Sequence, residues 1–296
     1  MDRYLREKDM TKKIAVINDL SGFGRCSLTA AISVIASMGV QPCPLPTAIL
    51  SAQTGFPSYF YDDYTDKMDA IREEWEKMHV SFDGICTGFL SGNRQIGKIL
   101  GFLDAFYGKD TFLLVDPVMG DNGSRFDIFS SEFQSEMKEL AARADIATPN
   151  LTELCLLTGA DSRLAAEITE ESEILKIAEQ MAGEMMSGGT GEVVVTGIRV
   201  TDESTGEKKM GNLAVTKEKA VFSSFPLVDA SYSGTGDLFA SVIAGGRARG
   251  DALEESVELA GEMIGRAIRD SVGSGVPRDE GVDYEKYLYM LNSSSF

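Results

Sequence analysis

Short apolar runs alternate with amphipathic stretches along this chain, and that alternation predicts most of its elements. Ile14-Ala-Val-Ile17 reads as a buried strand that ends at Asn18-Asp19. After Ser21-Gly-Phe-Gly24, the apolar residues Leu28, Ala31, Ile32, Ile35 and Met38 recur at helical spacing, and Gly39 closes that helix. Leu45 to Leu50 is extended but interrupted by Pro44 and Pro46, which suits an edge or a covering segment. Gly84-Ile-Cys-Thr87 and Phe112-Leu-Leu-Val115 read as buried strands flanking a helix that carries Ile96, Ile99, Leu100 and Leu103. Ile146-Ala-Thr148 is a short strand, and a brief helix through Leu154 and Leu157 follows Pro149. Ile174, Ile177, Ala178 and Met181 give a further helical face before the strand Val193-Val-Val-Thr196. Lys208 to Phe225 alternates as a hairpin does, and helices after Asp237 and Glu254 complete the series.

Strands that are apolar throughout and separated by helices imply a mostly parallel sheet covered on both faces. No internal repeat or linker divides the chain, so residues 1–296 are expected to form one domain, with loose ends at 1–12 and 293–296. In such sheets ligands bind beyond the carboxyl ends of the strands. Asn18-Asp19, Thr87-Gly88, Asp116-Pro117, Thr148-Pro149-Asn150 and Thr196-Gly197 each follow an apolar run directly. Small, polar and acidic residues therefore collect at one edge.

Composition narrows the function classes. A formal charge of −18 argues against nucleic acid or an anionic membrane as the main partner, yet leaves room for a nucleotide bound through local donors and Mg²⁺. No run approaches the length of a bilayer span, and the charged N-terminus lacks a signal-peptide core; both suit a cytoplasmic protein. Four widely spaced cysteines fit reduced thiols better than a disulfide framework. The one histidine, His79, follows Met68, Ile71, Trp75 and Met78 at helical spacing and reads as a helix end. A multi-histidine metal site is thereby excluded, and a Ser-His-Asp triad would have to use His79.

Three segments carry candidate chemistry. Gly234-Thr-Gly-Asp237 precedes Leu238, Phe239, Val242 and Ile243 at helical spacing, so the glycines open a helix. A helix start offers unpaired N–H groups and a positive dipole end, which suits an anion. Asp237 is a carboxylate beside that anion site, and removing a proton from an attacking hydroxyl is a role that would explain it. Asp116-Pro-Val-Met-Gly-Asp121 admits two readings, a capped Asp-Pro turn or a Mg²⁺ site. Thr148-Pro-Asn-Leu-Thr-Glu153 does the same: Asn150 or Thr152 caps a helix with Glu153 in its first turn, or Glu153 joins Asp116 at the metal. Walker and dinucleotide glycine patterns are absent.

Taken in order, these segments resemble the ribokinase superfamily, and within it the pyridoxal/pyridoxamine kinase branch. Ile17-Asn-Asp-Leu-Ser-Gly-Phe-Gly24 and Thr47-Ala-Ile-Leu-Ser-Ala-Gln-Thr-Gly-Phe56 occupy the places of that branch's N-terminal substrate segments. The likeness runs from about Lys13 to the helix after Asp237. It implies a ribokinase-like α/β fold with a small flap, a homodimer, and ATP-dependent phosphorylation of the hydroxymethyl group of pyridoxal, pyridoxamine or pyridoxine.

The resemblance also implies roles for residues. Asp237 would be the base, and Gly234, Thr235 and Gly236 the anion hole. Asp116 and Glu153 would organise Mg²⁺ largely through waters. Asn150 and Thr196 would meet the ATP phosphates, with a monovalent cation such as K⁺ near Asp116, Thr148 and Thr196. Asp19 and Thr54 match positions that hold the vitamer ring. The chain departs from the branch in two places: Asp19 replaces a common serine, and Ala52-Gln53 replaces Asn-His. Ala-Gln is similar to hydroxymethylpyrimidine kinases, which are the alternative reading. A binding or sensor protein that keeps the fold without catalysis is a third.

Overall fold

The computed structural model describes residues 10–161, 170–202 and 204–292. A nine-stranded sheet runs through the molecule in the order β11-β10-β9-β8-β5-β4-β1-β2-β3. Its strands are β1 (Lys13–Ser21), β2 (Gln41–Leu50), β3 (Tyr61–Asp63), β4 (Gly84–Thr87), β5 (Phe112–Val115), β8 (Ile146–Ala147), β9 (Glu192–Thr201), β10 (Lys208–Val215) and β11 (Ala220–Pro226). The six strands from β2 to β9 pair in parallel, whereas β3, β10 and β11 are antiparallel. A separate hairpin joins β6 (Gly120–Asp121) to β7 (Ser124–Arg125) beside the carboxyl edge.

Helices cover both faces because the central strands are apolar on both sides. Ile14 and Val16 of β1 pack against α1 (Ser27–Ser37), α7 (Thr235–Arg249) and α8 (Leu253–Gly273). Ala15 and Ile17 face the opposite layer, built from α2 (Thr65–Lys77), α3 (Asn93–Phe106), α4 (Ser131–Ala141), α5 (Leu151–Thr158) and α6 (Glu171–Ser187). No described helix is long and apolar enough to cross a membrane. All four cysteines are free, and His79 ends α2 on the surface with φ 54°.

Two strands differ from the sequence expectation. Residues 41–50 form a full strand rather than a covering segment, paired along β1 and, over Ala48–Leu50 only, to β3. Gln41 donates its N–H to Lys12 O, so the odd-numbered N–H groups face β1. Pro42, Pro44 and Pro46 share the other parity, and their missing N–H groups lie where the strand has no outer partner. The prolines thus permit the strand and blunt its edge. In addition, β1 continues past Asp19 to Ser21, with its register against β2 shifting between Asn18 and Leu20.

Chain order reverses at β1: the chain moves outward to β2, then returns to β4 on the other side. The crevice beyond the ends of β1 and β4 is therefore the topological switch point, where such sheets bind ligands. Close packing under it is sensitive to volume. A Cβ on Gly84 of β4 would lie 2.2 Å from the ring of its cross-strand neighbour Phe112. Gly84→Ala is expected to destabilise the protein by about 1–3 kcal/mol in denaturant melts, and adding Phe112→Leu to recover part of that loss. An unchanged midpoint in the single variant would contradict this packing.

Candidate active site

The carboxyl edge brings the sequence-flagged residues to one cavity of about 700 Å³. Asp116, Thr148, Asn150, Glu153, Thr196, Gly234, Thr235, Gly236 and Asp237 all line it. Asp19 and Thr54 are not among its lining residues. Three local devices aim this wall. Gly234 caps α7 with φ 82°, and a Cβ there would lie 2.0 Å from Arg25 O, so the turn is open only to glycine. The first N–H groups of α7 have no intrahelical acceptor and meet the cavity at its positive end. Between β9 and β10 the register shifts so that Thr196-Gly197 oppose the single residue Asn212. This bulge, with Gly197 at φ 67° and its N–H held by Asn212 Oδ1 at 3.1 Å, turns Thr196 toward Pro149 O, which accepts its N–H at 2.9 Å.

Asn150 and Glu153 realise the capping alternative in full. Asn150 Oδ1 accepts from Glu153 N at 3.0 Å, and Glu153 Oε2 accepts from Asn150 N at 2.9 Å, a reciprocal capping box. Glu153 Oε1 also takes the Met119 N–H at 3.0 Å, while Asn150 Nδ2 donates to Gly120 O at 2.9 Å. The cap and a place at the cavity wall are thus one arrangement. Asp116 accepts from Thr148 Oγ1 at 3.2 Å.

Electrostatics mark the carboxylates. Burial raises Asp116 above the ordinary carboxyl range, and the nearby Asp237 raises it further. Glu153 is raised well above its usual value, first by burial and then by Asp116. Burial likewise pushes Asp237 up to about 6, with Asp19 adding to the rise and donors from Ser27 and Asn18 opposing it. Among the described residues no lysine or arginine forms an ion pair with any of these three. Nor do three or more His, Cys, Asp or Glu side chains cluster as a direct metal cage. Oxygen ligands in such a sparse set suit Mg²⁺, which is commonly held by one or two carboxylates and keeps several waters.

The ring-side residues are placed differently from the phosphate-side ones. Asp19 is 5 % exposed, and its two oxygens accept from Ser21 Oγ at 2.8 Å and Ser27 Oγ at 2.6 Å. Thr54 is exposed in the turn after β2. Gln53, one of the two departures from the branch pattern, has its amide engaged: Nε2 donates to Ser233 Oγ and Asp279 O, and Oε1 accepts from Gly55 N. It ties the turn after β2 to the loop that opens α7.

Sequence reasoning missed several features. Arg199 and Arg278 are the basic residues lining the large cavity. An adjoining pocket of about 160 Å³ is walled by Met210, Phe225, Val228, Phe239 and Ile264 and shares Thr235 and Gly236 with it. Residues spread over two strands and two helices leave no local pattern, so only the fold could assemble that pocket. Asn18 stood at a flagged strand end but received no role; its contact with Asp237 spans 219 positions.

The comparisons with known proteins agree with this geometry. The model of the phosphomethylpyrimidine kinase family matches residues 24–280. A protein of Bacteroides thetaiotaomicron, provisionally assigned as a phosphomethylpyrimidine kinase and crystallised with pyridoxal, is 38 % identical over 96 % of each chain, with a TM-score of 0.87. A pyridoxal kinase of Rubrobacter xylanophilus is 26 % identical over 88 % of each chain. The hydroxymethylpyrimidine/phosphomethylpyrimidine kinase of Bacillus subtilis is 24 % identical over 88 % of this chain and 84 % of its own.

Unfolded, Asp237 would titrate near 3.8, against about 6 in the ligand-free fold. Folding then binds a proton between these values, so stability falls as pH rises through them and the cost is complete above pH 6. Asp237→Asn is expected to raise the Tm of the ligand-free protein at pH 8 by on the order of a few degrees. That gain should vanish below pH 3.8. Thermal melts that coincide at pH 8 would contradict a desolvated charge at Asp237.

Proposed function

Because the chain belongs to the phosphomethylpyrimidine kinase family, we propose that it transfers the γ-phosphoryl group of ATP to the hydroxymethyl group of pyridoxal, pyridoxamine or pyridoxine. One observation carries the reading: a half-buried, hydrogen-bonded carboxylate, Asp237, in the first turn of a helix whose glycine start lines the large cavity. A binding protein gains nothing from a base beside an anion site. The chemistry balances simply. Asp237 takes the hydroxymethyl proton as that oxygen forms its bond to the γ-phosphorus; the bond to the β-phosphate oxygen breaks, and ADP leaves. The N–H groups at Gly234–Gly236 receive the negative charge of the phosphoryl group in flight.

Asp116 and Glu153 are the residues that would hold Mg²⁺, through water. Their buried carboxylates, raised together and without a basic partner, support that fit. When bound, the ion would neutralise phosphate charge. The same oxygen-rich wall, with Thr148 and Thr196, suits a monovalent cation such as K⁺. The apolar pocket beside Thr235 and Gly236 has the chemistry of a site for the flat nucleotide base. Asn150 and Thr196 then border the phosphate chain, and Arg199 and Arg278 offset its charge at the rim.

The family's own description, together with Ala52-Gln53, favours a pyrimidine alcohol as the second reading. Against it, the Gln53 amide is already engaged by Ser233, Asp279 and Gly55. The relative crystallised with pyridoxal supports the vitamer. A coupled ADP-release assay across the three vitamers and hydroxymethylpyrimidine separates these readings. The vitamers are expected to give the higher kcat/KM, and a pyrimidine optimum would overturn the proposal. Asp237→Asn is expected to lower kcat by about 10²–10⁴-fold with little change in the KM for ATP. Undiminished turnover would remove Asp237 as the base.

A further inference from the structure

Asn18 sits in the switch crevice between β1 and β4, only 4 % exposed. Its Nδ2 donates to Asp237 Oδ1 at 2.8 Å. Its Oδ1 accepts two main-chain N–H groups, from Asp19 and from Phe89, each at 2.9 Å. These two donors decide the orientation of the amide. Rotated by half a turn, the NH₂ group would confront two N–H groups and the oxygen would confront a carboxylate. Three contacts become repulsive in that arrangement, so the amide is locked with its donors toward Asp237. The fold protects the lock. A Cβ on Gly88, at the end of β4, would lie 2.3 Å from Asn18 Nδ2 and 2.6 Å from its Cγ. Gly88 is thus the neighbour that leaves room for the amide, although no unusual backbone angle requires glycine there.

We propose that Asn18 is the positioning residue of the catalytic base: its locked amide holds the Asp237 carboxylate in the orientation that receives the substrate hydroxyl. This rests on the reading of Asp237 as that base. An ionised carboxylate offers about four lone-pair positions. Asn18 occupies one, and the Ser27 N–H opposes it from the start of α1. Two fixed donors still leave capacity for the hydroxymethyl proton. Asparagine suits this task because its amide donates without adding charge. A carboxylate at residue 18 would instead stand against Asp237 and Asp19.

The test is a double-mutant cycle of Asn18→Ala and Asp237→Asn, read as kcat and as KM for ATP with saturating Mg²⁺ and pyridoxal. Asn18→Ala is expected to lower kcat about 10–100-fold while the KM for ATP stays within about twofold, because the lost interaction serves the transferring step. In the Asp237→Asn background it is expected to lower kcat no further, since the group it positions is gone. Gly88→Ala, which presses on the same amide without altering either partner, is expected to reproduce the kcat loss and keeps the question answerable if Asn18→Ala does not fold. A kcat within twofold of wild type in the Asn18 variant, or in Gly88→Ala where Asn18→Ala does not fold, overturns the proposal. So does an equal loss in both backgrounds. If Asp237→Asn alone keeps full turnover, the base assignment fails instead, and the two failures are distinguishable.

Discussion

Three carboxylates that have no basic partner among the described residues share one crevice, and much of the site's architecture answers that constraint. Asp116, Glu153 and Asp237 arrive from a loop after β5, from the start of α5 and from the start of α7. Each would be costly alone; Asp237 raises the proton affinity of Asp116, and Asp116 raises that of Glu153. The surrounding chain responds with main-chain donors: Met119 and Asn150 on Glu153, Ser27 on Asp237. Side-chain donors complete the set, Thr148 on Asp116 and Asn18 on Asp237. Satisfaction without neutralisation leaves the crevice electrostatically unfinished, which fits the cation and phosphate chain of the proposed function.

Several of the backbone irregularities fall at the same edge. Gly234 at positive φ, Ser27 at φ 51°, the Thr196-Gly197 bulge and the β1 register shift at Asn18–Leu20 all lie at this edge. Elsewhere the sheet is regular and its central strands are apolar on both faces. Strain at such a rim is expected where geometry serves chemistry and the scaffold supplies the stability.

Much of this was legible in the sequence because its signals are local. Apolar runs gave the parallel strands, and helical spacing after Asp237 located the glycine turn at a helix start. Asn150 and Glu153, three positions apart, announced a cap. What stayed hidden depends on long-range register. Proline parity in β2 has meaning only once β1 is known to lie on one side. The amide of Asn18 meets Asp237 across 219 positions, and the apolar pocket draws its wall from β10, β11, α7 and α8. Gln53 is one of the departures that point to a pyrimidine alcohol, yet the fold engages it in holding two loops together.

The proposed function requires that Asp237 meet the substrate hydroxyl while Asp116 and Glu153 face the metal side. A crystal structure with pyridoxal, Mg²⁺ and a non-hydrolysable ATP analogue tests this most directly. The hydroxymethyl oxygen is expected within roughly 2.6–3.2 Å of an Asp237 carboxylate oxygen, with the ion reached by Asp116 and Glu153 through water. A metal ion bound directly to Asp237, with the hydroxymethyl group turned away from it, would rule out Asp237 as the base.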